Sequence, residues 1–269
     1  MIALLRRLNS LPFEATVRHY YPLAKTPTGQ QGVDLTQAKG WDLVRATEGN
    51  FLIPEDRSIW LRMCETRITH DSAAGDLPSR AYDILDLLEK HEVQEQLFSF
   101  GVGLAALEYH IKRLRPSLRV YCSDYGIEAV SRLKQVFHEC DGIVHFDLIK
   151  ERFLQVFPQA TTSAMVLIHR VDPHLTDNQW EQTFTRLAAD KVQWILFVPH
   201  RLLTLRYLLR SKRQEAWHRA RGISLALSGM VRTKRRWLRL WANRYELLDE
   251  PPIGYSSGFL LKLRNNAHS

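Results

Sequence analysis

The chain is 269 residues long, 45% hydrophobic and 25% charged, the profile of a soluble globular protein with one large domain or one domain plus an extension. Cys64, Cys122 and Cys140 are odd in number and widely spaced, which fits no zinc pattern and predicts buried thiols in a reducing compartment. No apolar run reaches the length of a membrane span, and the opening MIALLRRLNSLPF has neither the apolar core nor the cleavage site of a secretory leader, so a cytoplasmic protein is predicted.

In chain order, residues 1–92 read as a mostly helical N-terminal extension. Leu4 to Tyr21 reads as a helix, TPTGQQG at Thr26 to Gly32 as a loop, and Trp41 to Ile53 as one or two strands. A helix then follows Leu77-Pro78-Ser79, with Ala81, Ile84, Leu85 and Leu88 on one face. From residue 93 to residue 269 strands and helices alternate. Leu97 to Phe100 is a short apolar strand that stops at Gly101, and Gly101-Val102-Gly103 is a turn where backbone can pass close to a ligand. Leu104, Leu107, Ile111 and Leu114 mark one helix face, and Pro116 ends that helix. Arg119 to Ser123 is the next strand, with Asp124 at its carboxyl end.

A helical stripe at Ile127, Val130, Leu133 and Phe137 leads to a strand at Ile143 to Phe146, followed directly by Asp147. Glu151 to Phe157 reads as a helical turn. Ala164 to Ile168 is a fully buried strand, with His169, Arg170 and Asp172 after it. Thr176-Asp177-Asn178 caps a helix carrying Trp180, Phe184 and Leu187. Trp194 to Val198 is another buried strand, followed by Pro199 and His200. Next comes a basic helical insertion at about 201–244. Leu202 to Trp217 and Thr233 to Trp241 read as helices, the second burying Trp237 and Trp241. Tyr245 to Leu248 and Phe259 to Leu263 close the chain as an antiparallel pair.

The net charge of +8 is concentrated in that insertion, where thirteen Lys or Arg face a single acid, Glu215. Arg206, Arg210 and Arg213 share a helix face beside the stripe Leu202, Leu205 and Leu209. So much unpaired charge suggests an external anion, either an anionic membrane surface or the phosphates of a nucleic acid or of a nucleotide- or lipid-linked sugar.

The glycine motif alone admits three readings. Gly101-x-Gly103-x-x-Ala106 fits a loose dinucleotide pattern, a turn in an α/β domain with no ligand, or the acid-x-G-x-G-x-G motif of class I S-adenosylmethionine-dependent methyltransferases. The terminal antiparallel pair separates them. An α/β run ending in this way resembles the class I methyltransferase family over Leu97 to Leu263.

The resemblance implies a Rossmann-like, mostly parallel seven-stranded sheet with helices on both faces and an antiparallel C-terminal strand. It also implies S-adenosyl-L-methionine as cofactor. Gly101 and Gly103 match the leading glycines, flanked by Ser99 and Phe100. Asp124 matches the acid for the ribose hydroxyls, Tyr125 would lie near the adenine, and Asp147 resembles the acid for the adenine amino group. His169 and Arg170 occupy the substrate-facing position after the fourth strand, and His200 follows the fifth; the two histidines are the candidate catalytic groups. Two positions depart from the family pattern: Ser99 stands where the strand acid is expected, and Ala105 where the third glycine is expected.

Four polar groups, Asp124, Asp147, His169 and His200, thus follow four strands, at the end of the sheet where such folds bind ligands. His169, Asp172 and His174 have weak metal spacing; a solvated loop is expected there and no metal. His145 is expected as a strand residue. The implied reaction is methyl transfer to an acceptor that the sequence does not identify, such as a saccharide, a lipid-linked or another anionic small molecule, with Arg170, Arg206, Arg210 and Arg213 on the anion. A non-catalytic binding protein on the same fold and an RNA methyltransferase gripping through the basic segment are the readings from other classes. Nucleic acid is not favoured, because no RNA-binding module accompanies the segment. The predicted location is cytoplasmic, peripheral to the membrane.

Overall fold

The computed structural model describes residues 11–22, 52–66, 77–93, 95–223, 225–254 and 256–265. The expected loop at Thr26 to Gly32, and the expected strands at Trp41 to Ile53 up to residue 51, lie outside them. In chain order the elements are β1 (Thr16–Pro22), α1 (Arg57–Thr66), α2 (Leu77–Lys90), β2 (Gln96–Phe100), α3 (Ala106–Leu114), β3 (Arg119–Asp124), α4 (Ile127–Val136) and β4 (Gly142–His145). There follow α5 (Phe153–Val156), β5 (Met165–His169), a 3-10 turn (Asp172–His174), α6 (Asp177–Ala189), β6 (Trp194–Val198), α7 (Leu205–Ala220), β7 (Leu225–Arg232) and α8 (Lys234–Trp241). The chain closes with β8 (Tyr245–Asp249), β9 (Pro252–Ile253), β10 (Ser256–Ser257) and β11 (Phe259–Leu263).

Seven strands form one sheet in the order β4-β3-β2-β5-β6-β11-β8. The first five are parallel, and β11 lies antiparallel between β6 and β8. Helical crossovers between parallel strands force this layering. Alternation along β2 divides the core. Leu97 packs with α1 to α4 on one face; Phe98 and Phe100 join Trp180, Phe184, Trp237 and Trp241 on the other. The chain reverses direction across the sheet between β2 and β5, so the loops after these two strands flank a crevice, the usual ligand position in open parallel sheets.

Three expectations need correction. The segment expected to be helical up to Tyr21 contains strand β1. Its sequence, TVRHYYP, carries the β-branched pair Thr16 and Val17 and the tyrosines Tyr20 and Tyr21, residue types that favour strands, and β1 pairs antiparallel with β7 along its whole length. Leu4 to Ser10 lie outside the described residues. Likewise, the insertion expected to be helical at about 201–244 contains a strand between its two helices, because β7 spans Leu225–Arg232. Gly229 sits at a bulge opposite His19, at φ 136°, and a Cβ there would lie 2.1 Å from the Pro173 carbonyl oxygen. Glycine is therefore what lets the β1–β7 ribbon rest on the loop after β5.

The third correction concerns charge. The basic segment has partners that its own sequence does not supply. Arg232 and Arg236 both pair with Asp177, Arg236 and Arg239 with Glu14, and Lys234 with Glu250. These acids are distant in sequence and arrive through the tertiary fold, so counting acids within the segment overstated the deficit. Arg206, Arg210 and Arg213 are exposed and make no ion pair among the described residues.

Candidate functional site

The turn after β2 is built from three left-handed residues in alternation: Gly101 (φ 67°), Gly103 (φ 54°) and Ala105 (φ 56°). The N–H groups of Gly101 and Val102 donate to the Ser123 carbonyl at 2.8 and 3.2 Å, which ties the turn to β3. A Cβ on Gly101 would lie 2.5 Å from Val171 Cγ2, so glycine here permits the loop after β5 to close against the turn. A Cβ on Gly103 would meet nothing within 4 Å. The backbone at Gly103 therefore borders open space. Ala105 takes the third glycine's place and keeps its left-handed conformation, with the steric cost of a Cβ there.

Asp124, at the end of β3, is 3% exposed. Its Oδ2 accepts the Gly103 N–H at 2.9 Å and its Oδ1 the Gly126 N–H at 2.8 Å. One carboxylate thus fixes both loops at this end of the sheet. Tyr125 beside it is half exposed, its ring tilted against His145, the last residue of β4, at 6.1 Å. Asp147 turns inward at the next loop. Its Oδ1 accepts from the Ile149 and Lys150 N–H groups at 2.9 and 3.3 Å, and Lys150 Nζ lies 3.3 Å from Oδ2. The Phe100 side chain faces away, stacked in the core with Phe146 and Phe157, so only its backbone is at the turn.

Ser99 points to the other face. Its hydroxyl donates to Glu108 Oε1 at 2.6 Å, within the core. Glu108 is 3% exposed, and burial pushes its carboxyl up to about 7. Its signal in the sequence was an acid within the apolar stripe of α3, four residues after Leu104 and three before Ile111.

A second cluster forms where β5 and β6 end. Arg80 Nη1 meets His169 Nε2 at 3.0 Å. Arg170, at φ 63°, directs Nε and Nη2 at His200 Nδ1, at 3.0 and 2.7 Å. An arginine can only donate, so these ring nitrogens are acceptors and each neutral imidazole carries its proton on the other nitrogen. Burial, then the charges of Arg80 and Arg170, hold His169 well below the usual histidine range.

Asp172 lies under this cluster. It is fully buried, not in a solvated loop as expected; its Oδ1 accepts the His200 N–H, and burial pushes it up to about 7. Among the described residues no group of His, Cys, Asp or Glu is placed to hold a metal. Arg80 was not anticipated from the sequence. Its signal was a base on the buried face of α2, four residues before Ile84.

The β1–β7 ribbon is fastened over this end. The fully buried Arg232 donates to Asp177 Oδ1 at 2.6 Å, to the Asp172 carbonyl at 3.1 Å and to the Leu175 carbonyl. Thus the structure brings together Gly101, Gly103, Asp124, Tyr125 and Asp147 around one side of the crevice, and His169, Arg170 and His200 at the other. Arg206, Arg210 and Arg213 stand apart on α7, and among the described residues they make no hydrogen bond or ion pair to either group.

No protein-family profile matches the chain, and no curated protein sequence does. Solved structures do. The chain superposes on human N-acetylserotonin methyltransferase in complex with S-adenosylmethionine with a TM-score of 0.56 at 16% identity, covering 83% of this chain and 58% of that one. It is similar to OxaC, in complex with S-adenosylhomocysteine and oxaline, with a TM-score of 0.52 at 15% identity, covering 81% and 54%. Magnesium protoporphyrin IX methyltransferase from Synechocystis PCC 6803 with bound S-adenosylhomocysteine gives 0.50 at 12% identity, covering 77% and 94%. The chain therefore spans less than two thirds of the length of the first two. Strand order and these superpositions agree that the chain has the class I S-adenosylmethionine-dependent methyltransferase fold.

Proposed function

We propose that the chain is an S-adenosylmethionine-dependent methyltransferase. The observation that carries this reading is the coupling of the glycine turn to Asp124 at the crevice where the sheet order reverses. The residues fit the cofactor. Gly103 leaves open space over the turn, and Asp124 places a carboxylate for vicinal hydroxyls beside the half-exposed ring of Tyr125. When bound, S-adenosylmethionine supplies an electrophilic methyl group on a sulfonium. The protein's own task is then to position an acceptor.

His169 and His200 suit that task as hydrogen-bond donors, through Nδ1–H and Nε2–H respectively, because their other nitrogens already face Arg80 and Arg170. For either accepting nitrogen to take a proton, its arginine would have to move. Two guanidinium groups in this cluster favour an anionic acceptor. The cofactor assignment is tested by thermal melting with S-adenosylmethionine, S-adenosylhomocysteine and NAD in turn, since a ligand that binds only the folded state raises the melting temperature. The first two should raise it and NAD should not; a rise with NAD alone would sink the assignment.

The exposed face of α7 supports a membrane-surface approach to the acceptor. At about 100° per residue, Leu205, Leu209, Arg213, Arg206, Trp217 and Arg210 fall in that order within one arc of about 140°. Leu205, Leu209 and Trp217 are 48%, 64% and 47% exposed. Arginines mixed with Leu and Trp on one face suit an anionic lipid interface. No helix among the described residues is long and apolar enough to cross a membrane. Co-sedimentation with phosphatidylglycerol vesicles at low salt should be lost when Arg206, Arg210 and Arg213 are changed together to Gln, while cofactor binding persists. Full vesicle binding by that variant would reduce the face to ordinary solvated surface, and loss of RNA binding instead would favour an RNA substrate.

A further inference from the structure

Glu108 is a buried acid whose position is not explained by packing. It stands at the third position of α3, directly after the glycine turn, and its Oε1 accepts from Ser99 on β2. No Lys, Arg or His pairs with it among the described residues. The titratable groups that face it are Asp124 and Cys122 on β3 and Cys140 before β4. All are acidic or neutral. The positive end of the α3 dipole offsets such a charge only in part. An acid shut away from water, with the like charge of Asp124 nearby, is costly unless a cation reaches it. The open space over Gly103 gives a cation a way to the same turn.

The geometry points to Glu108, acting with Ser99, as the acid that receives the cationic amino-acid end of the cofactor, in place of a carboxylate on the strand. This rests on the methyltransferase reading above. Asp124 would then serve the ribose and Glu108 the ammonium group, so the departure at Ser99 is a relocation of the acid from strand to helix. Only the ionised carboxylate attracts an ammonium. Burial holds Glu108 at about 7, with Asp124 adding to the shift and the Ser99 hydrogen bond opposing it. Affinity for an ammonium ligand should therefore rise about tenfold from pH 6 to pH 8, as the ionised fraction rises.

The test is calorimetry with two probes: S-adenosylhomocysteine, which carries the ammonium, and 5′-methylthioadenosine, which lacks the whole amino-acid end. In the wild type, the first should bind more tightly as pH rises and the second should not respond. Glu108→Gln should weaken S-adenosylhomocysteine at pH 8 by tenfold or more, flatten its pH profile and leave 5′-methylthioadenosine unchanged. The double variant Ser99→Asp with Glu108→Gln, which returns the acid to the strand, should restore the affinity. Equal S-adenosylhomocysteine affinity and equal pH slope in wild type and Glu108→Gln would overturn the inference and leave the methyltransferase reading intact. So would a Glu108→Gln variant that loses both probes alike, or a double variant that folds and binds no better than Glu108→Gln. A wild type that binds neither probe would overturn both.

Discussion

Asp124→Ala is expected to weaken S-adenosylhomocysteine binding by about 1.5–3 kcal/mol, the scale of hydrogen bonds to a charged group, or roughly 10- to 150-fold in the dissociation constant. The effect has two sources. The carboxylate is lost as an acceptor for the ribose hydroxyls. In addition, the N–H groups of Gly103 and Gly126 lose the acceptor that holds both loops in place. The variant should also melt at a lower temperature, so affinity is to be measured by calorimetry well below its transition. A folded variant with unchanged affinity would remove Asp124 from the cofactor site.

Arg232→Met is expected to be the most destabilising single change in the ribbon, at about 3–5 kcal/mol, because it removes a half-buried ion pair and leaves two buried carbonyls without a donor, at roughly 1–3 kcal/mol each. The guanidinium is fully buried, pairs with Asp177 and satisfies two carbonyls of the loop after β5. It also lies 4.8 Å from the ring centroid of Trp237. Methionine fills much of the volume but offers none of these donors. At this chain length the loss corresponds to a fall of about 6–15 °C in melting temperature, read by circular dichroism. A fall of less than about 2 °C would show that the ribbon does not depend on this anchor.

The sheet was legible because buried parallel strands are short apolar runs closed by polar residues. Leu97 to Phe100, Ala164 to Ile168 and Trp194 to Val198 each gave a strand close to its expected bounds. The Thr176 cap was also legible, and it proves to be a full capping box with Gln179. The ribbon was not. β1 and β7 satisfy each other across about two hundred residues of sequence, and neither carries a turn signal that points to the other. The second half of the site was hidden for a related reason. Arg80 and Glu108 sit on apolar helix faces, where periodicity assigns a residue to the core without saying which polar group it meets there. Similarly, Asp177 reads locally as a helix-start residue, yet tertiary structure makes it the partner of two arginines.

In the proposed methyltransferase, the glycine turn after β2 and the loops after β3 and β4 together hold S-adenosylmethionine. Amide hydrogen exchange followed by mass spectrometry, with and without S-adenosylhomocysteine, tests it without knowledge of the acceptor. Protection is expected in peptides covering Gly101 to Ala106, Asp124 to Ile127 and Asp147 to Lys150, with α7 unchanged. No change in any of these three segments, or protection confined to α7, would show that the cofactor is not held at this end of the sheet.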